Sequence, residues 1–239
     1  MPDDTPRDLT RRCRLVAIVS AQQLEAAKGQ FGPLLDAALS GGDIASVIFA
    51  QGSLEDAPFI DHAEPLVAIT RAAGVPSIIA GSARAMTRMG ADGIQFSQDA
   101  EAVHDAVQRL SPKFMVGAGN IRTRHTALVI GEAQPDYVFF GKAGDDTRPQ
   151  PKAKNLDLGE WWASIIEIPC IVLGGTAVDC VVQIAEAGVE FVALSNAIFM
   201  PDGDGIDGLA DAAHCRDIVT RANQLLDDHA PEFEDPDAA

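Results

Sequence analysis

The sequence predicts a single (β/α)8 barrel of the TIM type, and three observations carry that prediction. Short apolar runs alternate strictly with helix-period segments along the chain. The apolar runs show no polar face, as parallel strands covered by helices require. The length of 239 residues is close to the ~250 of a typical barrel.

Taken in order, residues 15–19 form the first strand. A helix over 22–39 follows, in which Pro33 predicts a kink or a split and which Gly41-Gly42 closes. Residues 45–50 (ASVIFA) are the second strand, followed by a turn and a helix over 61–73 ending at Gly74. Next come strand 77–80, helix 83–89, strand 93–96, helix 100–110, strand 114–117, helix 124–132 and strand 137–140. A polar loop and a helix over 158–166 lead into the most informative stretch, IPCIVLGGTAVDCVVQIAEAGVEFVALSN. It reads as strand 170–173 ending in Gly174-Gly175, helix 177–187, and strand 191–194 ending in Ser195-Asn196. An amphipathic helix over 209–226 completes eight strands and eight helices. No G-x-G-x-x-G follows the first strand, which argues against an open dinucleotide-binding sheet. The expected organisation is a flexible N-terminus (1–12), one barrel domain (13–230) and an acidic, disordered tail (231–239).

Composition narrows the function. Hydrophobic residues make up 47% and aromatics 5%, so the core is built from Ala, Val, Ile and Leu. The formal net charge of −17 and a pI near 4.5 argue against nucleic acid or an anionic membrane as partner, and an anionic ligand needs a local basic patch. Cys13, Cys170, Cys180 and Cys215 show no CxxC spacing and read as buried free thiols of a reducing compartment. The start, MPDDTPRDLTRR, has no apolar segment, and no apolar run approaches the ~18 residues of a membrane span, so the expected location is cytoplasmic. A homodimer is compatible with these features and is not specified by them.

In a (β/α)8 barrel the chemistry sits at the C-terminal strand ends. Gly174, Gly175, Ser195 and Asn196 end the last two strands, where backbone N–H groups with little side-chain bulk can hold a phosphate. The remaining candidates for the pocket are Phe49, Gln51, Gln98, Gly119, Asn120 and Lys142. The loop GKAGDDTRPQPKAKN adds Thr147, Lys152 and Lys154, and gathers Lys142, Arg148, Lys152 and Lys154 in a chain with only 18 basic residues. Such a loop can act as a basic flap over a phosphorylated ligand, and it can equally be a solvated, proline-stiffened linker. The rim carries few carboxylates and no histidine, so a metal cage or an acid–base pair is hard to assemble.

The segments GADGIQFSQ, MVGAGN, PDYVFFGK with the TRPQPK loop, IPCIVLGG and GVEFVALSNAIF, in this order and spacing over roughly residues 13 to 200, resemble the thiamine phosphate synthase family, including the TenI-type thiazole tautomerases. The resemblance implies a (β/α)8 fold and, for the synthases, the joining of a pyrimidine pyrophosphate to a thiazole phosphate with Mg²⁺ on the pyrophosphate. By resemblance, Gly174-Gly175 and Ser195 match the phosphate-holding positions, Gln98 the glutamine after strand four, and Thr147 with Lys152 or Lys154 the loop after strand six. The other half departs. Phe49, Gln51 and Ser53 stand where the family has Gln-x-Arg-x-Lys. Ala80-Gly81 replaces Asn-Asp, and Ala100, beside Asp99, replaces the second metal aspartate.

Without those cations and carboxylates, a departing pyrophosphate loses its compensation. No cofactor is expected, because the ligands for the family's Mg²⁺ are missing. Three readings follow: a synthase proper, a metal-independent isomerase on the same barrel, or a non-catalytic protein that binds a small phosphorylated molecule.

Overall fold

In a computed structural model, described over residues 12–97, 99–201 and 208–233, eight parallel strands close in sequence order, β1 pairing with β8. The strands are β1 (Arg14–Ser20), β2 (Ser46–Ala50), β3 (Ser77–Ala80), β4 (Gly93–Ser97), β5 (Met115–Gly119), β6 (Tyr137–Phe140), β7 (Cys170–Leu173) and β8 (Phe191–Leu194). The barrel predicted from the sequence is therefore the fold observed.

The helices are α1 (Ala21–Ala27), α2 (Gly32–Leu39), α3 (Asp56–Ala72), α4 (Ala83–Met89), α5 (Ala100–Leu110) and α6 (Arg124–Gly131). They continue with α7 (Ala153–Ala163), α8 (Cys180–Glu186), α9 (Asn196–Phe199) and α10 (Ala212–His229). The expected helix over 22–39 is split. Lys28 ends α1 in the left-handed region, and Pro33 sits in the first turn of α2, where a missing N–H costs nothing. α3 begins five residues before the expected 61, since Pro58 lies in its first turn, and it carries Pro65 in its interior.

Side-chain alternation divides the core into two layers. Val16, Ile18, Ile48, Ala50, Ile78, Tyr137, Phe139, Ile171, Leu173 and Ala193 fill the lumen. Their neighbours along the strands, among them Leu15, Ala17, Val19, Val47, Phe49 and Ile79, pack outward under the helices. Within the lumen the Tyr137 hydroxyl donates to Gln95 Oε1 at 3.0 Å.

At the chain ends, Arg12 belongs to the fold and not to a flexible N-terminus. It is 8% exposed and donates to Asp227, Asn223 and the Cys13 carbonyl, tying the start of β1 to α10. Phe233, expected in a disordered tail, packs against the outer core layer. The rest of both expected segments, residues 1–11 and 234–239, lies outside the described residues. Among the described residues no helix is long and apolar enough to cross a membrane.

Candidate functional site

The polar residues at the strand ends have local structural duties before any ligand arrives. Ser20 caps α1 in a reciprocal box with Gln23, and Ser82, Asp99 and Thr123 cap α4, α5 and α6 by accepting from Ala85, Ala102 and Thr126 N–H groups. Asp99, the residue beside the missing metal aspartate, is thus engaged with the Ala102 amide at 3.0 Å.

Above the lumen opens a cavity of about 760 Å³, lined from the β1 to β6 ends by residues including Ala50, Gln51, Gly52, Ala80, Gly81 and Gln95. Its charged groups are Glu25, Lys142 and Asp145. Gln51 lines this cavity, but its amide is spent. Nε2 donates to the Leu54 carbonyl and to Asp56 Oδ1, and Oε1 accepts from Ser82 N–H. The bond from Gln51, then that from Ser82, holds the Asp56 carboxyl below its usual range. Gly81 is what makes room for this clasp, since a Cβ there would overlap the Gln51 side chain.

Phe49 does not face this cavity. It is fully buried in the outer layer, because the strand's inward phase falls on Ile48 and Ala50 and continues to Gly52 on the cavity wall. Of strand two and the loop after it, Ala50, Gln51, Gly52 and Ser53 line the cavity, and Ile48 and Ala50 are the inward positions within the strand. Gly119 lies beneath the mouth, packed against Gln95 and Phe139, and lines neither this cavity nor the one beside it. Gln98 lies outside the described residues.

A smaller cavity of about 310 Å³ opens between the β5 and β6 ends and collects Asn120, Arg122, Lys142, Lys152, Lys154 and Asn155. This brings three predicted lysines together with Asn120, which sits in the left-handed region (φ 56°). Asp145 is their only anion there, and pairs with Lys152 at 3.0 Å. Thr147 is exposed and borders neither cavity. The loop shortens relative to expectation, because α7 begins at Ala153 and not near 158.

Gly174, Gly175, Ser195 and Asn196 do come together at the β7 and β8 ends, under the loop that follows β6. Gly174 N–H donates to the Ala193 carbonyl, Gly175 N–H to Cys180 Sγ, and Thr176 and Ala177 N–H to the Arg148 and Pro149 carbonyls. A Cβ at Gly175 would overlap those two carbonyls, so this glycine exists to let the loop lie down. Asn196 N–H donates to Asp146 Oδ2 at 2.6 Å, and the Ser195 backbone next to it also favours the charged carboxylate. Gln23, itself fully buried, donates to Ser195 Oγ and Asn196 Oδ1. Asp146 is 2% exposed, its Oδ1 has no partner, and burial pushes its carboxyl up to about 6.

Sequence reasoning missed Gln23, Gln95, Arg122 and Asp146. The Ser20-x-x-Gln23 capping box and the lone polar residue Gln95 in an apolar strand were signals for two of them. A carboxylate folded back onto the ends of β7 and β8 leaves no pattern in the sequence.

The match to known proteins can now be set on this geometry. The family model described as thiamine monophosphate synthase matches residues 15–198. The chain belongs to the thiamine monophosphate synthase family. It is 33% identical over 180 residues to the thiamine-phosphate synthase of Erythrobacter litoralis, covering 73% of this chain and 84% of the relative. To that of Rhodospirillum centenum it is 31% identical over 173 residues, covering 71% and 82%. The thiamine phosphate pyrophosphorylase of Pyrococcus furiosus shares the fold with a TM-score of 0.66 at 18% identity, over 90% of this chain and 99% of that one.

The family's Mg²⁺ does not fit the residues present at its expected place. Ala80, Gly81 and Ala100 offer no oxygen side chain, and Asp99 Oδ1 accepts from the Ala102 N–H of its own helix, so the one or two carboxylates that Mg²⁺ takes beside a substrate's phosphates are not offered at these positions.

Proposed function

We propose that this member of the thiamine monophosphate synthase family binds a small phosphorylated ligand, a thiazole or pyrimidine phosphate or thiamine phosphate, at the C-terminal mouth of the barrel without a Mg²⁺-pyrophosphate subsite. The observation that carries this reading is the neutral wall formed by Ala50, Gly52, Ala80 and Gly81. A pyrophosphate bears about three negative charges, and each oxyanion donor removed from such a site typically costs ~3 kcal/mol of transition-state stabilisation. Here several are replaced together. The phosphoryl group is assigned to the β7 and β8 ends at Gly174, Gly175, Ser195 and Asn196, where lifting of the loop after β6 would free the Thr176, Ala177 and Asn196 N–H groups, with Lys142, Lys152 and Lys154 supplying countercharge.

A non-catalytic ligand-binding or regulatory role is the second reading. The five histidines favour it over an isomerase, since all lie in helices (His62, His104, His125, His214 and His229) and none is at a strand end to move a proton. Thermal melting tests the proposal. Monophosphates are expected to raise the melting temperature with or without Mg²⁺, and Mg²⁺ with pyrophosphate to do no more than pyrophosphate alone. A shift that appears only when Mg²⁺ and pyrophosphate are both present would overturn it.

A further inference from the structure

The loop after β6 places two adjacent acids on opposite duties. Asp145 faces the open cavities and pairs with Lys152. Asp146 is turned under the loop, where its Oδ2 takes the Asn196 N–H at 2.6 Å and its backbone carbonyl takes the Asn196 amide nitrogen at 3.3 Å. A carboxylate oxygen 2.6 Å from the Asn196 backbone N–H at the end of β8 has the relation to it that a phosphate oxygen would have. The second oxygen, Oδ1, is buried with no partner, so Asp146 is held by its location and not by a saturated set of bonds. A buried carboxylate lacking half its bonds is an expensive cap for a loop, which a neutral Asn or Ser could provide.

We infer that Asp146 is a tethered anion that occupies the phosphoryl cradle when the loop is down, and that a ligand's phosphate binds by exchanging with it as the loop lifts. This rests on the phosphoryl-binding reading of the same site and adds its regulation. Protonating Asp146 removes the charge that the Asn196 N–H holds and weakens the loop's hold on the mouth, so acid favours exchange. The groups facing Asp146 are Asp145 on its own loop, Cys180 at the start of α8, the Ser195 and Asn196 backbone, and Gln23 from α1 beyond them. Of these, Cys180 is pushed up to about 11 by burial and does not titrate near neutrality. His214 of α10 bonds the Ala197 carbonyl one residue beyond the cradle and needs its own control.

Sulfate is the appropriate probe, because it stays a dianion across the whole pH range and any pH dependence belongs to the protein. Its affinity is measured by calorimetry at pH 5.5 and 7.5 for the wild type, Asp146→Asn, Asp146→Ser and His214→Gln. The wild type and His214→Gln are expected to bind at least tenfold more tightly at pH 5.5, and both Asp146 variants to bind tightly at either pH. Wild type and Asp146 variants binding alike at both pH values would overturn the exchange while leaving a phosphoryl site in place. Absence of binding in all four proteins would overturn the exchange and the phosphoryl reading together. If one Asp146 variant does not fold, the other carries the comparison. Exchange of the Asn196 amide in the wild type supplies a second readout, and it should lose protection at pH 5.5.

Discussion

Asp146 is the residue whose behaviour departs furthest from its type. Its carboxyl is raised from 3.8 to about 6, first by burial. The sign of the linkage follows from a folded value above the unfolded one. The ionised carboxylate costs stability above about pH 6, and the cost is relieved as pH falls through that value toward 3.8. The stability of Asp146→Asn relative to wild type should therefore shift toward the wild type by ~1–3 kcal/mol between pH 8 and pH 5, as urea unfolding would record. A gap that does not move with pH would mean the carboxylate is not strained. Gln51 makes the opposite case, a rim residue whose type suggests ligand contact and whose bonds are all internal. Replacing it with Ala leaves the half-buried Ser82 N–H without its acceptor and removes the Asp56 contact, and is expected to destabilise the protein by ~1–3 kcal/mol with monophosphate affinity unchanged. The reverse pattern in the same unfolding and binding measurements would assign Gln51 to the ligand.

At the scale of elements, the loop between β6 and α7 is the part with a function to explain. The Thr176 and Ala177 amides are bonded to its Arg148 and Pro149 carbonyls, so in ligand-free protein they should exchange more slowly than Gly144, by roughly tenfold or more for ~1.4 kcal/mol of local opening. Exchange at open-loop rates would show that the loop does not lie on the cradle. Strands β3, β6, β7 and β8 and helices α4 and α5 were legible to the residue, because apolar runs bounded by Gly, Ser and Asp leave little choice of boundary. β5 was placed one residue early at its start and two short at its end, since Phe114 reads as strand but its N–H bonds back to Leu110 at the end of α5. The direction of Phe49 was lost for a different reason. A strand buried on both faces has no polar alternation to report its phase, so 49, 51 and 53 looked as eligible for the lumen as 48, 50 and 52. That Gly174-Gly175 and Ser195-Asn196 follow the last two strands was legible from glycines and a small polar pair after apolar runs. Their cover was not, because it depends on a tertiary fold-back.

For the whole molecule, the barrel and the family were both readable from the order of segments, and the proposed lack of cations on this wall does not depend on which phase of strand two faces inward, since Ile48, Ala50 and Gly52 are as neutral as Phe49, Gln51 and Ser53. The central claim is that this barrel keeps a phosphoryl site and lacks the Mg²⁺-pyrophosphate half. Synthase turnover with a pyrimidine pyrophosphate, a thiazole phosphate and Mg²⁺ tests it most directly. The wild type is compared with a variant carrying Ala50→Arg, Gly52→Lys, Gly81→Asp and Ala100→Asp, and with the same variant carrying Gln51→Ala to clear space beside position 81. The wild type should show no Mg²⁺-dependent turnover above background, and single changes should restore none, because one carboxylate cannot hold an octahedral Mg²⁺ alone. Wild-type turnover at the ~1–10³ s⁻¹ of ordinary enzymes, dependent on Mg²⁺, would contradict the claim.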